Sequence, residues 1–108
     1  MTFDSYHYLK IMDITVQDLK NRLDKGETLN LIDVREPNEY EADNIGAQLI
    51  PLGDLSHRLD ELDGLQDEEV IVHCRSGSRS AKAQQILEQN GFTNVRNVTG
   101  GMLAYRAQ

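Results

Sequence analysis

A single cysteine, Cys74, stands among the 108 residues. One thiol cannot close a disulfide within the chain or make a Cys-x-x-Cys redox pair, and it argues against a cysteine-built structural zinc site. Basic residues are also scarce, with 11 Lys and Arg against 18 Asp and Glu for a formal net charge of -7. That balance argues against nucleic acid and anionic membrane as main partners. No apolar run approaches the roughly 18–20 residues that span a bilayer. The first residues lack the basic stretch and apolar stretch of a secretory leader. A cytoplasmic, reducing location is therefore expected, where the sequon Asn97-Val98-Thr99 carries no meaning. Internal repeats, low-complexity tracts and Pro/Gly/Ser-rich linkers are lacking too. No metal and no cofactor are expected.

What is there suits one small globular domain. Hydrophobic residues make up 39% and charged residues 27%, ordinary for a folded domain of this length. Residues 13–108 read as that domain. Residues 1–12 carry Phe3, Tyr6, Tyr8, Leu9 and Ile11 without clear periodicity. They read either as a packed N-terminal arm or as a linker from a longer chain.

Charge is unevenly spread. Between Asp33 and Glu69 there are twelve acidic residues and only two basic ones, Arg35 and Arg58. Between Val70 and Leu87 stand Arg75, Arg79 and Lys82, with no acid. A cationic island in an acidic chain calls for an explanation.

Periodicity supplies an alternation of helices and strands. Thr15 to Lys25 predicts a helix, with Thr15 as N-cap, Val16, Leu19 and Leu23 on its apolar face, and Gly26 as terminator. Asn30 to Val34 reads as a strand, and Glu36 to Glu41 as a short acidic helix with Pro37 in its first turn. Leu49-Ile50 forms a brief strand ended by Pro51. Leu55, Leu59 and Leu62 suggest a helix over Asp54 to Leu62. Val70-Ile71-Val72 is the strongest strand signal, β-branched and apolar throughout, as in a strand buried on both faces. A helix over Ser80 to Asn90, a strand over Val95 to Val98 and a last helical segment from Gly100-Gly101 to Gln108 complete the chain. Such alternation predicts an α/β fold of three layers: a central, mostly parallel sheet with helices on both faces.

In such sheets ligands gather at the carboxyl ends of strands. The strand Val70–Val72 runs into His73-Cys74-Arg75-Ser76-Gly77-Ser78-Arg79-Ser80 before a helix starts. A tight turn there aims backbone N–H groups inward, and the helix adds partial positive charge. Gly77 gives backbone freedom, Ser76, Ser78 and Ser80 offer hydroxyls, and Arg75 and Arg79 supply charge. All of this favours thiolate over thiol at Cys74. His73 should point to the opposite face of the strand, away from such a pocket. His7 and His57 have no partner cluster and read as surface residues. Asp33 and Arg35 share a strand face at i, i+2; they either shape the pocket floor or tie the following loop by a salt bridge. Glu36, Glu39 and Glu41 read as a solvated acidic helix.

The loop Cys74-Arg75-Ser76-Gly77-Ser78-Arg79-Ser80 resembles the active-site loop of rhodanese-like domains, the single-domain sulfurtransferases. Leu31-Ile32-Asp33-Val34-Arg35-Glu36 with Glu39-Tyr40 resembles the family's first signature, and Ile45-Gly46-Ala47 to Ile50-Pro51 its continuation. Asn97-Val98 to Gly100-Gly101-Met102 resembles its closing segment, so the likeness runs from about Ile14 to Tyr105. Two departures stand out: Asp43-Asn44 replaces the family's common Gly-His pair, and Tyr105 replaces its usual tryptophan.

The resemblance implies a five-stranded central sheet within that fold and the activity of a sulfurtransferase. Cys74 would take sulfane sulfur from a small anionic donor such as thiosulfate, become a persulfide, and pass the sulfur to an external acceptor: cyanide, a thiol or a protein. Arg79, with Arg75 as a second candidate, would bind the donor, and the loop amides would hold the terminal sulfur. Other readings stand beside it: a non-catalytic rhodanese-like adaptor, a sulfur-carrier domain of a larger protein, and a cysteine-dependent phosphatase or arsenate reductase. The last generally uses Cys-x5-Arg, whereas Cys74 to Arg79 is the shorter Cys-x4-Arg.

Overall fold

The computed structural model describes residues 13–108, so the two readings of residues 1–12, and His7, lie outside the described residues. Helix α1, Val16–Asp24, is capped by Thr15, whose Oγ1 accepts the Asp18 N–H at 3.1 Å. Strand β1, Asn30–Asp33, leads into α2, Pro37–Ala42, and then into the two-residue strand β2, Gln48–Leu49. Strand β3, Val70–His73, is followed by the longest helix, α3, Ser78–Gln89. Strand β4, Val95–Asn97, and helix α4, Gly101–Arg106, close the chain.

The strands form one parallel sheet in the order β2-β1-β3-β4. The fold class is the expected α/β sandwich, but the sheet has four strands, not five. At the β4 edge Ile14 makes a single parallel bridge to Val98. The turn of α1 begins at the next residues, so no second pair can form. A second correction concerns the helix expected over Asp54 to Leu62. Two 3-10 segments, Leu52–His57 and Leu59–Leu62, stand there instead. Their leucines fall in pairs three apart, Leu52 with Leu55 and Leu59 with Leu62, which suits three residues per turn.

Alternation along β1 and β3 sorts the core into two halves. On one face Ile32, Val34, Val70, Val72 and Cys74 pack with Ala83 and Leu87 of α3 and with Leu55 and Leu62. On the other, Leu31, Ile71 and Val98 pack with Leu19 of α1 and with Tyr105 of α4. Tyr105 thus occupies part of the tryptophan's usual packing role, and the Lys20 ammonium and Arg106 guanidinium lie 5.8 and 5.5 Å from its ring centre. Among the described residues no helix is long and apolar enough to cross a membrane. The arrangement brings the carboxyl ends of β1, β3 and β4 together, with α2, the N-terminus of α3 and the N-terminus of α4 around them.

Candidate active site

Cys74 is the first residue beyond β3 and is 1% exposed. Its sulfur accepts from the Gly77 N–H at 3.1 Å, the Ser80 N–H at 3.4 Å and the Ser80 hydroxyl at 3.3 Å. Burial pushes the thiol pKa up, but the Ser80 hydroxyl and the amides of Ser80, Gly77 and Ser76 outweigh it and hold Cys74 below the usual thiol range. The loop predicted from the sequence is therefore an anion cradle built around the sulfur.

Two glycines make the cradle geometrically feasible. Gly77 has φ 109° at the N-cap of α3, a left-handed conformation that turns its N–H inward. Gly101 has φ 56°, and a Cβ there would lie 2.4 Å from the Cys74 carbonyl oxygen and 2.7 Å from that of Arg75. Because no Cβ intervenes, the start of α4 docks on the loop: Met102 N–H donates to Cys74 C=O at 2.9 Å and Leu103 N–H to Arg75 C=O at 3.0 Å. A chain segment 28 residues away holds the nucleophile's own carbonyl.

The loop is braced from β4 by Asn97, a buried polar residue that sequence reasoning did not single out for this role. Its Nδ2 donates to Gly77 C=O at 3.1 Å, which turns its Oδ1 toward the Ser80 hydroxyl. That hydroxyl has one hydrogen and three acceptors in reach: Asn97 Oδ1, the Gly77 carbonyl and Cys74 Sγ. A thiolate is the strongest acceptor of the three, so ionisation of Cys74 draws the hydrogen to the sulfur. The available signal was position: a polar residue at the carboxyl end of a strand whose neighbours are core.

The remaining site residues divide. Arg75, Ser76 and Ser78 are exposed around the rim. Arg75 makes no ion pair or side-chain hydrogen bond with any described residue. Arg79 points elsewhere than expected. Its Nη1 and Nη2 donate to Glu39 Oε1 and Oε2 at 2.7 and 2.9 Å. Glu39 is thus no member of a solvated acidic face, and the reading of α2 as solvated is corrected at this residue. Its Oε1 also accepts the Glu36 N–H at 3.0 Å, capping α2, and the Arg79 guanidinium holds its carboxyl down to about 2.

Asp33 and Arg35 take the loop-tying role. Arg35 Nε and Nη2 donate to Asp33 Oδ1 and Oδ2 at 3.0 and 2.7 Å, and both residues are buried. The same guanidinium donates to the carbonyls of Glu39 and Asp43, bolting α2 beside the site. Asp43 in turn accepts from Arg106 of α4 at 2.7 and 2.8 Å, a contact that the replaced Gly-His pair would not make. Between α2 and α4 lies a cleft of about 300 Å³, lined by Arg35, Glu39, Asp43, Arg75, Met102 and Leu103 among others.

His73 faces away from the cradle, as alternation predicted. It is buried without a partner for Nε2, 3.7 Å from Asp33 Oδ2. Burial holds it below the ordinary histidine range, with Asp33 opposing, so it is neutral near pH 7 and makes no ion pair. His57 lies at the end of the first 3-10 segment, exposed. Among the described residues no group of three or more His, Cys, Asp or Glu could hold a metal ion.

The chain is similar to known proteins over nearly all of its described length. The family model for the rhodanese-like domain matches residues 15–108. The chain is 37% identical over 101 residues to a putative sulfurtransferase of Bacillus subtilis, YtwF, covering 93% of this chain and 95% of that one. It is 40% identical over 93 residues to a putative sulfur carrier protein of the same bacterium, YrkF, covering 85% of this chain but only 49% of that protein. The crystal structure of a rhodanese-like domain protein from Staphylococcus aureus superposes with a TM-score of 0.78 at 35% identity, over 86% of this chain and 89% of that one. The strand–cradle–helix unit and these likenesses together define the class: this chain belongs to the rhodanese-like domain family. It spans about half the length of YrkF and nearly all of YtwF.

Proposed function

We propose that this protein is a sulfurtransferase that carries sulfane sulfur on Cys74. The observation that carries the reading is the cradle: a lone, buried thiol whose sulfur accepts from inward amides and the Ser80 hydroxyl, donors that favour the thiolate. The Cys74 thiolate attacks the outer sulfur of a donor such as thiosulfate. The donor's S–S bond breaks, sulfite leaves with its electron pair, and a persulfide forms on Cys74. The loop amides then hold the terminal sulfur anion, preorganised as in an oxyanion hole. Arg75 at the rim is the cation available to the donor. An external acceptor, a thiol or a protein in the cell and cyanide in an assay, attacks the terminal sulfur and frees the thiolate. With no second cysteine in the chain, internal resolution as a disulfide has no partner.

The names of the relatives, a sulfurtransferase and a sulfur carrier, support sulfur transfer over the other chemistry of cysteine loops. Loop length supports it as well: six residues from Cys74 to Arg79 leave a cradle the size of one sulfur. On incubation with excess thiosulfate the intact protein should gain the mass of one sulfur atom, removable by cyanide or dithiothreitol. The Cys74→Ala variant should gain nothing. An unchanged native mass, together with vanadate-sensitive hydrolysis of an aryl phosphate, would move the protein to the phosphatase reading.

A further inference from the structure

Four arginines stand around the mouth of the cradle, and three are already neutralised from within. Arg35 is held by Asp33, Arg79 by Glu39 and Arg106 by Asp43, each through paired nitrogen–oxygen contacts. Only Arg75, exposed at the rim, makes no ion pair with a described residue. We infer that Glu39 is a positioning residue for donor specificity: by occupying the Arg79 fork, it makes the site discriminate against doubly charged donors in favour of singly charged ones. The inference rests on the sulfur-transfer reading and deepens it.

The geometry gives Glu39 this leverage. The Nη1/Nη2 edge of Arg79 is spent on the two Glu39 oxygens, so a second anion can meet this guanidinium only through its remaining N–H groups and beside the carboxylate's negative charge. Glu39 is itself anchored, since its Oε1 caps α2 and its backbone carbonyl accepts from Arg35. The pair is three-quarters to two-thirds buried, with side chains 25% and 32% exposed, so water screens it incompletely. A dianionic donor must therefore either displace an anchored carboxylate or sit beside it, meeting repulsion that a monoanion meets at half strength. The cleft alongside, with Met102 and Leu103 in its lining and about 300 Å³ of space, adds room for an uncharged organic group where thiosulfate carries its second charge.

Thiosulfate and methanethiosulfonate test this directly. They share a thiosulfonyl sulfur and nearly the same shape, but the first carries two charges and the second one. With each, the Cys74 thiolate attacks the outer sulfur, the donor S–S bond breaks, and sulfite or methanesulfinate leaves with the electron pair. Steady-state sulfur transfer to cyanide gives KM and kcat for both. In Glu39→Gln the amide oxygen still caps α2, while the negative charge is gone. The KM for thiosulfate should then fall about tenfold relative to that for methanethiosulfonate, the order expected for one charge a few ångströms away in a partly screened site, with kcat moving less than KM. Arg79→Gln should shift the ratio the opposite way by exposing Glu39, and the double variant should return it to near the native value. Charge compensation predicts that return; a structural role does not.

A ratio that stays put in Glu39→Gln, or a double variant that keeps either single shift, overturns the inference. If Glu39→Gln does not fold, the neutral double variant and the native protein still decide. The native KM for thiosulfate should rise less than about threefold on going to high salt, because only one uncompensated cation is screened; a steep rise would show that Arg79 is free and overturn the inference. Native protein that loads sulfur from both donors without regard to charge sinks this inference alone. If neither donor loads Cys74, the sulfur-transfer reading falls and this one with it.

Discussion

Cys74 and His73 are neighbours in sequence, both 1% exposed, and their surroundings drive them apart. Burial opposes charge on each. At Cys74 three hydrogen-bond donors converge on the sulfur and, against burial, hold its pKa below the usual thiol range. At His73, on the other face of the sheet, Nε2 has no partner and the neutral form wins. Burial depth therefore says little about ionisation by itself. The direction in which backbone amides and hydroxyls point decides it, and a strand sends consecutive side chains to opposite directions.

The contrast can be broken most severely at Gly101. Alanine there would drive a Cβ into the Cys74 and Arg75 carbonyls and strain a positive φ. Urea unfolding should show a loss of about 3 kcal/mol or more, from overpacking plus backbone strain, and the thiol should lose its enhanced reactivity. A variant as stable as the native protein would mean that α4 does not press on the loop.

A subtler break removes one donor. In Ser80→Ala the sulfur keeps its amides but loses the hydroxyl, so the pH midpoint of Cys74 alkylation should move up toward that of a free thiol. Alkylation near pH 7 should slow by roughly tenfold, the worth of one hydrogen bond to a charged acceptor. Asn97→Asp would add a carboxylate to the same hydroxyl and move the midpoint up as well, while Asn97→Ala should act mainly on stability. An unshifted midpoint in Ser80→Ala would mean that the amides alone set the ionisation.

The smallest effect sharpens the His73 side. Its folded pKa is depressed, so the unfolded chain binds the proton more readily, and stability is lost as pH falls through the unfolded value of about 6.5. The melting temperature should drop by roughly 5 °C between about pH 7 and pH 5. In His73→Leu that drop should be shallower even if the variant melts lower at pH 7. Identical slopes would show that His73 finds a proton-compatible setting in the folded protein.

Much of this site was legible from residues close together in the chain. A β-branched run, a cysteine, Gly77, three serines and a following helix are local features, and the cradle they form depends on hydrogen bonds spanning three to six residues. The helix caps at Thr15 and Gly26 were legible for the same reason. Arg79 was harder. The sequence placed it in the loop as a donor-binding residue; it stands in the first turn of α3, its partner lies 40 residues away on α2, and sequence alone offers no means of choosing among twelve acids in the preceding acidic stretch. Asn97 was missed because its role depends on β4 lying beside β3. The leucines at 55, 59 and 62 fit a helix equally well as they fit two 3-10 turns, because spacings of three and four serve both.

The lone cysteine and the scarcity of basic residues pointed by themselves to single-thiol chemistry assisted by a short basic loop. Only the tertiary structure decided how that loop is charged: Arg79 and Arg106 are cancelled by Glu39 and Asp43 from other parts of the chain, while Arg35 pairs locally with Asp33 and Arg75 is left at the rim. The physical reason is distance. Hydrogen bonds to the sulfur are made within one turn of chain and follow from local conformation, whereas ion pairs join side chains that only the packing of α2, α3 and α4 around the sheet ends brings within reach.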